Sequence, residues 1–400
     1  YHAYYGERMP ETDLSYYRPD IAGSCNTTIH GTRRRLCSVM QEYATGFLGD
    51  FREPALIPLD ERGCRMCDLK YASYEIFSEK PAIRSGIPTE RGGETLKITL
   101  RDETSGVEVY LFYTVYPDED IITRRAEIVN ATSGNIHLER ALSITLDFYD
   151  NEYEMLTYQG RHNGERYPQA NSLIQGRVSV GNIRGPSSHH HAPLVILRRP
   201  GAGEEQGEVF AASLTYSGSH YESVEVDESF RTRLSMGINP ESFNWKLEPG
   251  ESFETPEAVL CYSPEGMGGM TRRYHDFMRK YIINPRWVNT PRPLVLNSWE
   301  GMHFKFDRDR LFETIDRIEG LGIDTFVLDD GWFGARNSDR AGLGDWFVNE
   351  EKLPGGLKAV ADRCHERGLK FGLWIEPEMV NPDSDLYRAH PDWALSAPDR

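Results

Sequence analysis

The sequence predicts a multidomain β plus α/β protein: a large N-terminal antiparallel β-sandwich followed by the first three β/α units of an eight-stranded barrel. Three observations predict it. Residues 1 to about 285 carry many short alternating stretches and no long helical pattern, and period-two alternation marks strands with one buried face. From residue 293 the pattern becomes apolar runs followed by helical stripes, with three runs and two full stripes, the grammar of a parallel sheet. Polar and aromatic residues collect where each of those runs ends, the end at which barrels build their sites.

The elements follow in chain order. Residues 95–100, 107–115, 142–148 and 209–216 alternate and are rich in β-branched and aromatic side chains, so each predicts a strand. Asp102-Glu-Thr-Ser-Gly106 and Glu248-Pro-Gly250 supply turn chemistry between such runs. So many strands without helices predict a two-sheet sandwich over residues 1–263. Residues 268–281 read as a helix with Tyr274, Phe277, Met278 and Tyr281 on one face, within a helical linker at 264–292. Residues 294–299 predict a buried strand, and 308–319 a helix striped by Leu311, Ile315 and Ile318 and closed by Gly320 and Gly322. Residues 325–330 predict the second strand. Leu357, Val360, Ala361 and Cys364 mark the next helix, and residues 370–376 the third strand. A complete barrel takes about 250 residues. The stretch after residue 285 is less than half that, so 293–400 is expected to be an incomplete TIM (β/α)8 barrel.

Composition narrows the function classes. The formal charge is −17, which disfavours nucleic acid and anionic membranes, since both reward positive charge. No apolar run reaches the roughly 20 residues that cross a bilayer. Six cysteines in 400 residues are too few for a disulfide scaffold. Cys64-Arg-Met-Cys67 has ligand-like spacing, with Cys25 and Cys37 upstream, but a lone CxxC is a weak zinc signal. Reduced thiols in a cytoplasmic protein are the preferred reading. No metal or cofactor is expected.

The residues at the strand ends suit a neutral sugar. Paired carboxylates accept hydrogen bonds from adjacent hydroxyls, and indole rings cover the C–H face of a sugar and offer an N–H at the edge. Asp329, Asp330, Trp299, Trp332 and Trp374 supply both kinds of group from three neighbouring strands. Any single tryptophan there serves equally as filling for the barrel top. Two adjacent aspartates are harder to explain as filling, because a buried unpaired carboxylate is costly. Side chains alternate along a strand, so both aspartates face one pocket only if the backbone turns at Gly331. An oxygen-ligand magnesium site from Asp329, Asp330, Glu376 and Glu378 is a rival reading of the same residues.

Longer motifs carry a resemblance. Val295-Leu-Asn-Ser-Trp-Glu300, Phe326-Val-Leu-Asp-Asp-Gly-Trp-Phe-Gly334, Leu343-Gly-Asp-Trp346 and Phe371-Gly-Leu-Trp-Ile-Glu-Pro-Glu-Met379 resemble glycoside hydrolase family 36, the α-galactosidases (melibiases) and their relatives. Tyr4-Tyr-Gly6, Gln41-Glu-Tyr43, Gly49-Asp-Phe-Arg52, Ser187-Ser-His-His-His191 and Met236-Gly-Ile-Asn-Pro240 resemble the family's N-terminal β-supersandwich. The resemblance covers nearly the whole chain. It implies a retaining hydrolase of terminal α-galactosides such as melibiose and raffinose, in which one carboxylate attacks the anomeric carbon and another serves as acid and base, about 5–5.5 Å apart. In the family the nucleophile sits in a Lys-Trp-Asp type motif. This sequence has none, so both catalytic residues are expected beyond Arg400 and the chain alone is expected to be inactive. By resemblance Asp329 and Asp330 bind the 4- and 6-hydroxyls of galactose, and Trp299 and Trp374 wall the same subsite. His162, in Gly160-Arg-His-Asn-Gly-Glu-Arg166, stands where many members carry tryptophan. It is either a further substrate contact or a solvated loop histidine. A raffinose-synthase-like galactosyltransferase, an α-N-acetylgalactosaminidase and a non-catalytic galactoside-binding protein remain alternatives on the same scaffold. The family's habit of assembly implies a homo-oligomer, dimer or tetramer.

Overall fold

The computed structural model describes residues 2–10, 13, 39–85 and 92–397. Two compact units emerge, Tyr1–Val288 and Asn289–Arg400.

The first unit is built on two antiparallel sheets. The larger has ten described strands, in the spatial order Lys70–Phe77, Thr95–Arg101, Val107–Tyr116, Ile121–Asn130, Ala258–Ser263, Val209–Leu214, His191–Arg198, Glu154–Arg161 and Gly164–Ser172, with Ser252–Glu254 also against Ile121–Asn130. The smaller runs Leu56–Asp60, Ile136–Phe148, Thr232–Ile238, His220–Val226 and Gly176–Gly181, with Trp245–Leu247 also against Ile136–Phe148. The alternation that predicted strands is the alternation that fills the space between them. Val107, Val109 and Leu111 point inward with Leu138 and Leu142 of the other sheet. Ile144 and Leu146 do the same against Val195, Leu197, Ala212 and Leu260. The Asp102 turn forms as expected: its carboxylate accepts from Thr104 N at 2.8 Å and Ser105 Oγ at 2.6 Å.

The sandwich also buries an ion network. Arg233 Nε reaches Asp147 at 2.6 Å and its Nη2 reaches Asp50 at 3.2 Å. Arg52 holds Asp50 at 2.8 Å and Asp147 at 3.2 Å. Burial raises the Asp50 carboxyl, yet Arg233 and Arg52 outweigh it and hold the group below its ordinary value.

The segment expected as a linker contributes to this unit's core. Its helix, Gly266–Phe277, buries Met267, Met270, Tyr274 and Phe277, and Tyr274 Oη donates to Val259 O at 2.9 Å. The expected four-residue face is only partly right. The helix passes into a π-turn at Met278–Ile282, whose wider turn rotates the chain. Phe277 and Tyr281 both pack on the Tyr116 ring, at 4.9 and 4.7 Å, while Met278 turns outward and is exposed.

In the second unit three parallel strands lie side by side: Val295–Asn297, Thr325–Leu328 and Lys370–Leu373. Helix Arg308–Arg317 starts where Asp307 accepts from Arg310 N at 2.9 Å, the capping that an aspartate before a helix supplies. Leu311 and Ile315 from this helix, and Val360 and Cys364 from Gly356–Glu366, pack with Phe326 and Leu328 of the middle strand. All six are fully buried.

The strands are shorter than expected. The first was read as buried over 294–299, but Leu294 and Val295 are exposed. Among the described residues it pairs with Thr325–Leu328 alone. Trp299 opens a one-turn helix, Trp299–Met302, and the third strand stops before Trp374. Among the described residues no helix is long and apolar enough to cross a membrane.

Candidate functional site

The two aspartates stand just past the middle strand, which ends at Leu328. The turn that frees them therefore begins one residue earlier than Gly331. Gly331 continues it at φ +99°, and a Cβ there would lie 3.0 Å from the Phe304 ring, so a left-handed glycine fits both the turn and the space. Asp329 accepts from Asn297 Nδ2 at 2.5 Å and, through its other oxygen, from the Asp330 backbone N–H at 2.7 Å. Its own N–H donates to Ser298 Oγ at 3.0 Å. Asn297 Oδ1 in turn accepts from Trp299 N at 2.7 Å. One asparagine thus ties Asp329 to the start of the turn that carries Trp299.

Asp330 is anchored differently. Arg336 Nε lies 2.9 and 3.1 Å from its two carboxylate oxygens, and Nη2 lies 2.8 Å from Oδ2. Both side chains are buried. The Arg336 Nη1 is shared between Ala341 O at 3.2 Å and Asn381 Oδ1 at 2.9 Å, and its guanidinium lies 5.5 Å from the Phe304 ring. Lys352 Nζ donates to three backbone carbonyls of the same loops, those of Phe304, Gly331 and Arg336. Burial pulls this lysine down and Asp330 acts against that pull. Glu376, just beyond the third strand, is pushed up by burial and then by Glu378 and Asp330, with Arg336 opposing.

The tryptophans divide. Trp299 is partly exposed and meets His303 and Phe304 edge-on at 4.8 and 5.0 Å. Trp374 is also partly exposed and lies nearly parallel to Phe333, 15° and 6.4 Å apart. Trp332 is a correction. It is 3% exposed and its indole N–H is spent on Trp374 O at 2.9 Å, so it is core and supports its neighbour's backbone.

Within the second unit, then, Asp329, Asp330 and Trp299 are linked by Asn297 and Phe304, and Trp374 follows the adjacent strand. His162 belongs to the first unit, on the two-residue turn between Glu154–Arg161 and Gly164–Ser172, and is exposed. That hairpin is tight: a Cβ at Gly160 would meet Gly164 O at 2.5 Å. Arg336, Asn297, Lys352 and Asn381 escaped sequence reasoning. Loop arginines and asparagines have no periodicity. The one usable signal was an asparagine closing an apolar run at Leu296-Asn297.

Asp329, Asp330, Glu376 and Glu378 form no metal-ligand group, and among the described residues there is no cluster of three or more His, Cys, Asp or Glu suited to an ion. Cys64 is exposed and Cys67 buried. Burial, then Asp102, pushes the Cys67 thiol far up. Cys25 and Cys37 lie outside the described residues.

A family model described as the glycosyl hydrolase family 36 N-terminal domain matches residues 1–248, and a melibiase model matches residues 252–400. The chain belongs to glycosyl hydrolase family 36. Within that family it is 41% identical to the bifunctional α-galactosidase/sucrose kinase AgaSK of Mediterraneibacter gnavus, over 98% of this chain and 43% of that protein. It is 40% identical to α-galactosidase AgaA of Geobacillus stearothermophilus, over 100% of this chain and 56% of that protein. The crystal structure of AgaA superposes with a TM-score of 0.94 at 38% identity, covering 100% of this chain and 56% of that one. A variant of AgaA in complex with stachyose gives 0.95 at 39%, with the same coverage. The chain spans about half the length of the curated relatives it matches. Family 36 membership confirms the predicted architecture of a sandwich followed by the start of a barrel.

Proposed function

We propose that this chain supplies the sandwich and the sugar-gripping wall of an α-galactosidase that releases terminal α-galactose from oligosaccharides with retention. Asp329 and Asp330 accept hydrogen bonds from adjacent galactose hydroxyls. Trp299 and Trp374 flank the same subsite, and His162 is a further contact. The observation that carries the reading is the anchoring of the aspartate pair at the carboxyl end of the middle strand. Each carboxylate is held by a donor set of its own, Asn297 for Asp329 and Arg336 for Asp330, and each keeps acceptor capacity beyond those donors. Relatives named α-galactosidases at about 40% identity, and a related enzyme's complex with stachyose, support the substrate class.

The bond-breaking carboxylates belong, in this reading, to the part of the relatives that the chain does not span. The absence of a Lys-Trp-Asp motif from the sequence supports that. The assembled enzyme is a cytoplasmic homo-oligomer, dimer or tetramer.

The test is hydrolysis of p-nitrophenyl α-galactoside. The full-length gene product should turn it over. D329A and D330A should each lose most of kcat/KM, and the 400-residue chain should give no more than a D329A/D330A control. Turnover by the chain above that control would mean the chemistry has been misplaced.

A further inference from the structure

We propose that Arg336, braced by Asn381, is a positioning residue for sugar recognition that acts through Asp330. The inference rests on the reading of Asp330 as an acceptor of sugar hydroxyls. A carboxylate's terminal torsion is broad and roughly two-fold, so an aspartate at the edge of a pocket does not by itself present its lone pairs in one direction. The guanidinium removes that freedom. Its Nε and Nη2 span both oxygens of Asp330 at 2.8–3.1 Å. A planar fork on a planar carboxylate fixes the plane as well as the distance. Each carboxylate oxygen offers about two acceptor directions. The fork takes one side, and the opposite side remains for a ligand.

The fork is itself held. Asn381 Oδ1 accepts from Arg336 Nη1 at 2.9 Å and from Leu343 N at 3.1 Å, and Ala341 O takes the remaining Nη1 contact. Asn381 N donates to Leu343 O at 3.0 Å. The loop after the third strand therefore sets the arginine that sets the aspartate after the second. The Arg336 face lies over Phe304, whose ring also meets Trp299, so the same guanidinium registers Asp330 against an aromatic that the site uses. Asp329 has no such device: its partners are a neutral amide and a backbone N–H. The two adjacent aspartates are thus unequal. Asp330 is oriented by a charged fork that depends on a distant loop, and Asp329 by local neutral donors.

The experiment is a double-mutant cycle on kcat and KM for p-nitrophenyl α-galactoside, run in the full-length protein with R336Q, R336K, N381A, D330N and D330N/R336Q. R336Q should raise KM on the order of 10–100-fold, the range for losing hydrogen bonds to a charged group, with a smaller change in kcat. R336K, a point charge that cannot span both oxygens, should fall between R336Q and the unsubstituted enzyme. In the D330N background R336Q should add less than about threefold, since coupled residues are non-additive. N381A should move KM in the same direction as R336Q but less, and it takes the place of R336Q in the cycle if that variant does not fold. Full multiplication of the two losses would overturn the positioning role while leaving Asp330 as a sugar acceptor. An R336K enzyme with unchanged KM would do the same, because charge alone would then suffice. An unchanged KM in D330N would remove the sugar-acceptor reading and this inference together.

Discussion

Exchanging each aspartate of the pair for asparagine should separate them by stability as well as by function. Asp330→Asn removes the carboxylate that hydrogen-bonds the Arg336 fork. Both side chains are less than a tenth exposed, so the guanidinium keeps Ala341 O, Asn381 Oδ1 and one oxygen of the new amide, with no carboxylate to pair it. Removing one charge of a buried pair costs about 3–5 kcal/mol, and the surviving acceptors put the expectation near the low end. Asp329→Asn keeps an oxygen for the Asp330 N–H and loses a single charge-assisted contact, from Asn297 Nδ2. The cost is about 1.5 kcal/mol, the low end for a hydrogen bond to a charged group. The expected gap is therefore about 1.5 kcal/mol between two neighbouring isosteric changes. Trp299, Trp332, Trp346, Trp374 and Trp393 are five of the seven tryptophans, and all belong to the second unit, so urea unfolding followed by fluorescence reports on it. Adding Arg336→Met to Asp330→Asn should recover part of the loss, because replacing both charged partners leaves no unpaired buried charge. Equal losses for the two asparagine variants, or no recovery in the double variant, would refute the assignment of Arg336 to Asp330.

Other outcomes follow from burial and charge. The lowered Asp50 carboxyl contributes stability that is present above the ordinary aspartate value of about 3.9 and is lost as pH falls through the folded value. Asp50→Asn should flatten the acid limb of sandwich unfolding, and an unchanged acid slope in a pH series of urea titrations would contradict this. The raised Glu376 carboxyl has the opposite sign: its ionised form is disfavoured in the fold, so stability of the second unit declines as pH rises through and above about 4.3. Glu376→Gln should abolish the decline that sets in as pH rises through about 4.3, which a pH series of fluorescence-detected unfolding starting below that value will show or deny. Phe326→Ala, at a fully buried position on the middle strand, should cost the second unit about 3–5 kcal/mol. Amide exchange in the sandwich should hardly change, and general loss of protection there would mean that the units do not unfold separately.

The strands were readable where alternation was long. Val107–Tyr116 and Thr95–Arg101 came out within a residue of expectation, because half their side chains are buried by the opposite sheet and half are not. Reading failed where the burial partner lies outside the local pattern. Met278 carries the right spacing for an α-helical face, and a π-turn rotates it away. Trp332 has the composition of a sugar platform, and its indole N–H is used inside the unit.

The sequence by itself determined the two architectures, their order and the family, and it singled out the aspartate pair as a candidate, since each is written in residues close together along the chain. Tertiary structure alone decided how that pair is held. Asp329 meets Asn297 across 32 residues, Arg336 meets Asn381 across 45, and both contacts exist only because parallel strands bring their carboxyl ends side by side. Hydrogen-bond partners at such separations leave no period and no motif. They appear only once the sheet has fixed which loops are neighbours.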